Sequence, residues 1–428
     1  MTTVRYNPFS AETRANPYPS YAELREHAPV HHLEGTGFYL VSRYSDVVEV
    51  IQNPDLFSSK AMHRLMMSSL GGGIQNIDSD QAIDPKAVET MRRQTEGTGI
   101  DPIEMLTTPA IVATDPPDHA RLRGIVNRAF TPRRIAVLEA RARQIASDAL
   151  DKMLTKDEFD LVSEFTVPFP VTVIAELLGV DADRLTDFKR WSDVLIAGST
   201  GTASEALTKR VHEVSREFNA YFLEHIEQRR RDPKDDLISV LVAAEAGEAA
   251  LTPVETLRFT SLLLVAGNET TTNLMGNIVL ALLEHPEALA RAVSNPALIP
   301  ALVEEGLRRD GPVQMLFRET THDLELAGTQ IPKGSFVMPM LASANRDETQ
   351  FPEPDRFDLD RDTRGHVALG LGVHFCLGAS LARLEARVGF EELFKRVSGF
   401  RPLEPEVEYI DSFLLRGPKR LSLTADRI

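Results

Sequence analysis

The sequence predicts a mostly α-helical protein with one or two small β-sheets. Helical periodicity runs almost unbroken from His119 to Pro286. One stretch of it, 253–284, spans about nine turns and is apolar on several faces. Strand-like alternation is confined to short stretches near the two ends of the chain.

The chain has 428 residues, with 47 Lys and Arg against 63 Asp and Glu, a net charge of −16. Such an acidic excess argues against nucleic acid as a partner, because phosphate neutralisation needs a basic face. At 43% hydrophobic and 26% charged residues the composition is globular, and a chain this long builds its core without staples. Cys376 is the only cysteine, so neither an intrachain disulfide nor a multi-cysteine metal site can form. The polar, proline-containing start and the lack of a run of about 18 apolar residues lead to the expectation of a cytoplasmic protein with no membrane span. A monomer is the simplest expectation.

In chain order, Val30–His32 and Phe38–Val41 flank the turn-prone residues 34–37 and read as a hairpin. Asp46 reads as the N-cap of a helix bearing Val47, Val48, Val50 and Ile51, stopped at Asn53-Pro54. From 58 to 108 the pattern dissolves among Gly71-Gly72-Gly73, Pro85, Gly97, Gly99 and Pro102, interspersed with Met62, Met66, Met67, Met91 and Met105. A loop of that length is usually functional or disordered, and its thioethers make an adaptable surface. Helices are expected at about 119–130, 133–153, 171–178, 182–196, 204–230, 235–244 and 253–284. Next come a strand pair at 324–326 and 336–338, joined by a Gly328-to-Gly334 turn, and a last helix at 379–397.

Residues 369–378 hold the sole cysteine among Gly370, Gly372 and Gly378. The glycines let the backbone turn tightly, and a helix starting at Ala379 points its dipole at the thiol. Both favour a thiolate, which is either a nucleophile with His374 as its base or a metal ligand. A single thiolate suffices as the protein's ligand to haem iron. In the long helix, Ala266-Gly267-Asn268-Glu269-Thr270-Thr271 places an acid and hydroxyls inside an apolar run, which is costly unless they are satisfied or used as a proton relay. Glu305 and Arg308 are helical neighbours, and His119 and Arg123 share a helix face where they could grip an anion.

Residues 369–378 resemble the haem-binding loop of the cytochrome P-450 family, Phe-Gly-x-Gly-x-His/Arg-x-Cys-x-Gly. They match at Gly370, Gly372, His374, Cys376 and Gly378 and depart at Leu369, where Phe is usual. The segment 266–270 resembles the family's oxygen-activation motif, and Glu305 with Arg308 its Glu-x-x-Arg helix. Arg356, in Pro354-Asp355-Arg356-Phe357, stands where the family completes a structural triad with that pair. His119, Arg123 and Arg318 match positions that bind the haem propionates, together with His374.

This resemblance covers essentially the whole chain. It implies one triangular haem-thiolate monooxygenase domain over 1–428, with the long central helix over the haem and 58–108 as a mobile lid within it. Cys376 would be the axial ligand, Glu269 and Thr270 the catalytic proton and dioxygen residues, and Ala266, Gly267, Gly370 and Gly378 neighbours of the cofactor. The implied cofactor is haem b, with dioxygen as co-substrate and NAD(P)H acting through a separate ferredoxin and ferredoxin reductase. A basic footprint for the ferredoxin is expected from Arg121, Arg128, Arg133, Arg134, Arg361 and Arg364. The substrate would be a lipophilic small molecule such as a fatty acid, a terpenoid or steroid, or a polyketide, to be hydroxylated or epoxidised. Leu263, Leu264, Val265, Val313, Met315, Leu316, Phe413 and Leu414 are the expected pocket residues. A peroxide-driven hydroxylase, a non-catalytic haem-binding sensor and a non-haem cysteine hydrolase are the alternatives.

Overall fold

The computed structural model describes residues 4, 6–8, 10–71, 84–128, 130–199, 205–243 and 251–428. Among the described residues helix predominates, as expected, with three small sheets. The chain divides into two compact units: residues 1–57, 132–170 and 269–428 form the first, and 58–131 with 171–268 the second.

The first unit is built on a sheet in the order Val30–Leu33, Phe38–Val41, Phe336–Pro339, Arg318–Thr320, with Phe57 at its edge. The expected hairpin forms, pairing Val30 with Val41 and Leu33 with Phe38. Phe38–Val41 then runs parallel to Phe336–Pro339, with Phe38 opposite Phe336. Val41, Val47, Val50, Ile51, Phe57, Val337 and Val367 fill one cluster against this sheet. Burying each such side chain contributes about 1.5–3 kcal/mol. A second sheet joins Glu158–Asp160, Ser422–Arg427 and Val397–Pro402.

Two local expectations are corrected in this unit. Leu324–Leu326 pairs with Thr329–Ile331 and not with 336–338. Ala327 and Gly328 have φ of 47° and 80°, so both sit in the left-handed region that closes a two-residue hairpin. This leaves Phe336–Pro339 for the larger sheet. Asp46 is not an N-cap: the helix is Tyr44–Gln52, and its first free N–H, on Tyr44, is taken by Asp347 Oδ2 at 2.8 Å.

The second unit is helical. The stretch 58–108, expected as a loop, holds helices at Lys60–Gly71, Pro85–Thr95 and Pro102–Thr107, while 72–83 lie outside the described residues. Asp84 accepts from Lys86 N at 2.8 Å and Asp101 from Ile103 N at 2.9 Å. Each caps a helix whose first residue is proline. Met91 and Met105 are buried here as core residues. Trp191, Phe188, Phe218 and Phe222 form an aromatic cluster between the helices Leu185–Ser199 and Glu205–Arg231.

The long helix is Pro253–Glu284, as expected. A capping box sets its start: Thr252 Oγ1 accepts from Glu255 N at 3.1 Å, and Glu255 Oε2 accepts from Thr252 N at 2.8 Å. Pro286 stops it. Among the described residues no helix is long and apolar enough to cross a membrane.

Candidate functional site

The loop carrying Cys376 is shaped by backbone hydrogen bonds and two glycines. Cys376 N–H donates to Leu369 O at 2.8 Å, Gly370 N–H to Val367 O at 2.9 Å and Phe375 N–H to Gly372 O at 3.1 Å. Gly370 and Gly372 have φ of 68° and 66°, which side chains resist. The helix Ala379–Phe394 starts directly afterwards, so its positive end lies beside Cys376. A Cβ on Gly378 would come within 4.0 Å of Cys376 Sγ, so backbone and sulfur are in close contact there. The thiol is partly accessible, and neighbouring Val373 and Phe375 are among the few exposed large apolar side chains. His374 ends a short 3-10 turn in the same loop.

The helix Ile299–Asp310 anchors the polypeptide leading into this loop. Arg308 lies in a two-pronged bond with Glu305, at 2.7 Å from Nε and 2.8 Å from Nη2, and both side chains are fully buried. The third arginine is Arg361, not Arg356. Arg361 Nε reaches Glu305 Oε1 at 3.2 Å, and Asp358 N–H donates to the same oxygen at 3.0 Å. Arg356 contributes only its backbone carbonyl, to Arg308 and Arg361, while its side chain is exposed near Glu353 and Asp358. Arg361 is therefore an interior anchor and not part of a surface footprint. Gly306 lies against Ile278 of the long helix so closely that a Cβ would sit 2.3 Å from Ile278 Cγ1.

Midway along the long helix the burial pattern breaks. Leu263, Leu264 and Asn268 are buried, as is everything from Thr271 to Val279. Ala266 is exposed, and Val265, Gly267, Glu269 and Thr270 are partly accessible. Ala266, Glu269 and Thr270 are three and four residues apart, so they share one face. Burial pushes the Glu269 carboxyl up to about 7. Thr271 hydrogen-bonds Glu385 of the cysteine helix, a buried acid that burial pushes up to about 8 despite that bond. Gly267 packs on Ile174, where a Cβ would lie 3.0 Å from Cδ1.

In the first unit Arg318 is buried on the strand Arg318–Thr320, with Nη1 donating to Phe317 O at 2.8 Å. The segment from Val313 to Leu316 starts beside the segment carrying Phe413 and Leu414, through a bridge between Val313 and Leu415 and a 2.8 Å bond from Gln314 N to Leu414 O. Met315 is fully buried. Phe413 meets Phe317 edge-on, with ring centroids 6.2 Å apart.

In the second unit His119 and Arg123 share the helix Asp118–Val126, with His119 buried and Arg123 Nε donating to Asn127 Oδ1 at 3.1 Å. Arg121, expected on a basic footprint, pairs instead with Glu255. Sequence reasoning missed the anchoring role of Arg361, and it missed Glu385 and a cluster of Glu304, His366 and Arg383. The doublet Glu304-Glu305 was the available signal, since adjacent acids on a helix face different neighbours.

The profile described as Cytochrome P450 matches residues 103–424. Over 430 aligned residues the chain is 39% identical to the vitamin D(3) 25-hydroxylase of Pseudonocardia autotrophica, covering 99% of this chain and 97% of that one. The structure of cytochrome P450 CYP109Q5 from Chondromyces apiculatus superposes with a TM-score of 0.84 at 42% identity, covering 99% of each chain. That of CYP109E1 from Bacillus megaterium in complex with corticosterone gives 0.81 at 34% identity, covering 96% of this chain and 99% of the other.

Proposed function

The chain belongs to the cytochrome P450 family of haem-dependent monooxygenases, and from that premise we propose that Cys376 is the axial ligand of its haem b. The observation that carries the proposal is the loop itself. It holds one partly accessible thiol, turned by left-handed glycines, at a helix N-terminus, with apolar Val373 and Phe375 beside it. That donor set and apolar surface suit an iron macrocycle. When bound, haem supplies the reductive activation of dioxygen and the transfer of one oxygen atom to substrate, with electrons from NAD(P)H through redox partners.

The remaining roles fall to the chain's own residues. His119, Arg123, Arg318 and His374 would neutralise the propionates. Glu269, held near neutrality by burial, would give and regain a proton, and the Thr270 hydroxyl would orient it. Ala266, a methyl on the accessible face, would leave that face open. Glu305, Arg308 and Arg361 hold the loop and touch no reacting atom.

The substrate we infer is lipophilic and of steroid-like bulk. Support comes from the apolar candidates Val265, Val313, Leu316, Phe413 and Leu414, from a relative named for vitamin D(3), and from a similar structure in complex with corticosterone. A ferredoxin with its reductase would supply electrons, in the cytoplasm, to one functional domain spanning 1–428, with 58–108 acting as its lid.

The decisive test is the absorption spectrum of the reduced protein under carbon monoxide, beside Cys376→Ala. A strongly red-shifted Soret band that the substitution abolishes is expected. A haem spectrum indifferent to the substitution overturns the assignment.

A further inference from the structure

Glu304 stands next to the Glu305 anchor but faces a different set of groups. Arg383 grips it with two bonds, Nε to Oε1 at 2.6 Å and Nη2 to Oε2 at 2.9 Å. His366 Nε2 lies 3.1 Å from the same Oε2. These two partners flank the cysteine: His366 comes ten residues before Cys376, and Arg383 seven after it. One carboxylate on the helix Ile299–Asp310 thus ties down both ends of the loop.

The histidine end is well defined. Ala368 N–H donates to His366 Nδ1 at 3.3 Å, so Nδ1 is the acceptor and Nε2 carries the proton that faces Glu304. The His366 side chain is almost fully buried. Its neighbour Val367 donates its N–H to Asn345 Oδ1 at 2.7 Å, and Leu369 O receives the Cys376 N–H. The path from Glu304 to the sulfur therefore runs through hydrogen bonds on one side. On the other side it runs through the first two turns of the cysteine helix.

The arginine end adds charge. The Glu304 bond helps hold the Arg383 guanidinium protonated, and Arg383 stands in the second turn of the helix that begins three residues after Cys376. Burial pushes the Glu304 carboxyl up, but its bonds from Arg383 and His366 outweigh that and keep it at about 2, fully ionised. The cation near the sulfur is therefore matched by one fixed anion.

Resting on the reading of Cys376 as the haem ligand, we propose that Glu304 is a positioning residue. It clamps both flanks of the cysteine loop through His366 and Arg383, and by neutralising Arg383 it sets the charge felt by the sulfur and hence the reduction potential of the iron. A charge near a ligand tunes a metal without touching it.

The test is the midpoint potential of the haem-loaded protein, with folding followed by Tm. Glu304→Gln leaves Arg383 unmatched, and a net positive charge favours the reduced iron, so the potential shifts upward. Arg383→Gln leaves Glu304 unmatched and shifts it downward. The double substitution returns it towards the parent value, a reciprocity that a merely structural pair would not produce. Glu304→Ala, which also releases His366, shows in the reduced carbon monoxide complex a larger share of the thiol-ligated band at the expense of the thiolate band.

Single substitutions that leave the potential unmoved, or move it in the same direction, overturn the proposal. If Glu304→Gln does not hold haem, Arg383→Gln decides alone: a downward shift supports the proposal and none overturns it. If the parent protein lacks the thiolate band altogether, the ligand reading has failed, and that outcome is separate from any variant.

Discussion

Glu304 and Glu305 on one helix contrast with Glu269 and Glu385, which lie where the long helix and the cysteine helix carry acids into apolar surroundings. The first two are each bound by two side chains, Glu305 by Arg308 and Arg361, Glu304 by Arg383 and His366. At the second two burial prevails, and they rise to about 7 and about 8. The same side chain serves opposite ends. Matched by cations, a buried carboxylate is a fixed anion that holds backbone in place. Left to desolvation, it holds its proton near neutral pH, as a group that must both donate and recover one requires.

The largest expected effect breaks the first half of this contrast. Arg308→Ala leaves a fully buried carboxylate short of its main partner, which costs about 3–5 kcal/mol. The variant should lose haem and unfold at lower denaturant concentration. Unchanged stability would mean that the anchor is dispensable.

Next is the second half. Glu269→Gln keeps the shape but cannot release a proton, and the rate of product formation should fall by on the order of a hundredfold. The fold should survive, because no buried ion is stranded. A variant with full coupled turnover would take Glu269 out of the chemistry.

A smaller effect sharpens the comparison through pH. Burial pushes the Glu385 carboxyl up to about 8 in the folded protein against an ordinary value of 4.5, so between these limits the native state holds a proton that the unfolded chain has released. Its contribution therefore makes stability fall as pH rises across that window. Glu304, depressed to about 2, acts in the opposite sense: its contribution is present above 4.5 and is lost as pH falls towards 2. Denaturant midpoints on either side of neutrality should show a flatter pH dependence in Glu385→Gln. An unaltered slope would place the proton elsewhere.

The smallest effect marks where the contrast ends. Arg364 pairs with Asp362 on the open surface, with nine-tenths of its side chain exposed, so Arg364→Ala should leave Tm unmoved. Its pairing has neither the burial nor the shared partners of the anchor.

Much of this was legible in the sequence. The long helix was readable to its ends because Thr252-Pro253-Val254-Glu255 and His285-Pro286 punctuate it locally. The hairpin at Val30–Val41 was equally local. What failed depended on choices between distant partners. Phe336–Pro339 carries strand chemistry, but nothing in it says whether it joins Leu324–Leu326 or Phe38–Val41; the left-handed Ala327-Gly328 turn decides that. Asp46 had the chemistry of a cap, yet Asp347, some 300 residues away in sequence, took the N–H at the helix start. Arg356 and Arg361 are five residues apart in one polar stretch, and only the path of the backbone shows which side chain turns inward. Asp84-Pro85 and Asp101-Pro102 were legible helix starts, obscured by the glycines between them. Around the site the same rule holds: the motifs mark the helix and the loop, whereas the clamping bonds of Glu304, Arg361, His366 and Arg383 depend on the path of distant backbone.

One feature of the composition gives the molecule a built-in gauge. With a single thiol in 428 residues, and that thiol partly accessible, a sulfhydryl reagent reports on one atom only. On the proposed role of Cys376, each equivalent consumed would count one vacant loop, and each thiol withheld one ligated sulfur. Occupancy of a preparation could therefore be read by simple titration, without light absorption and without any knowledge of what the protein oxidises.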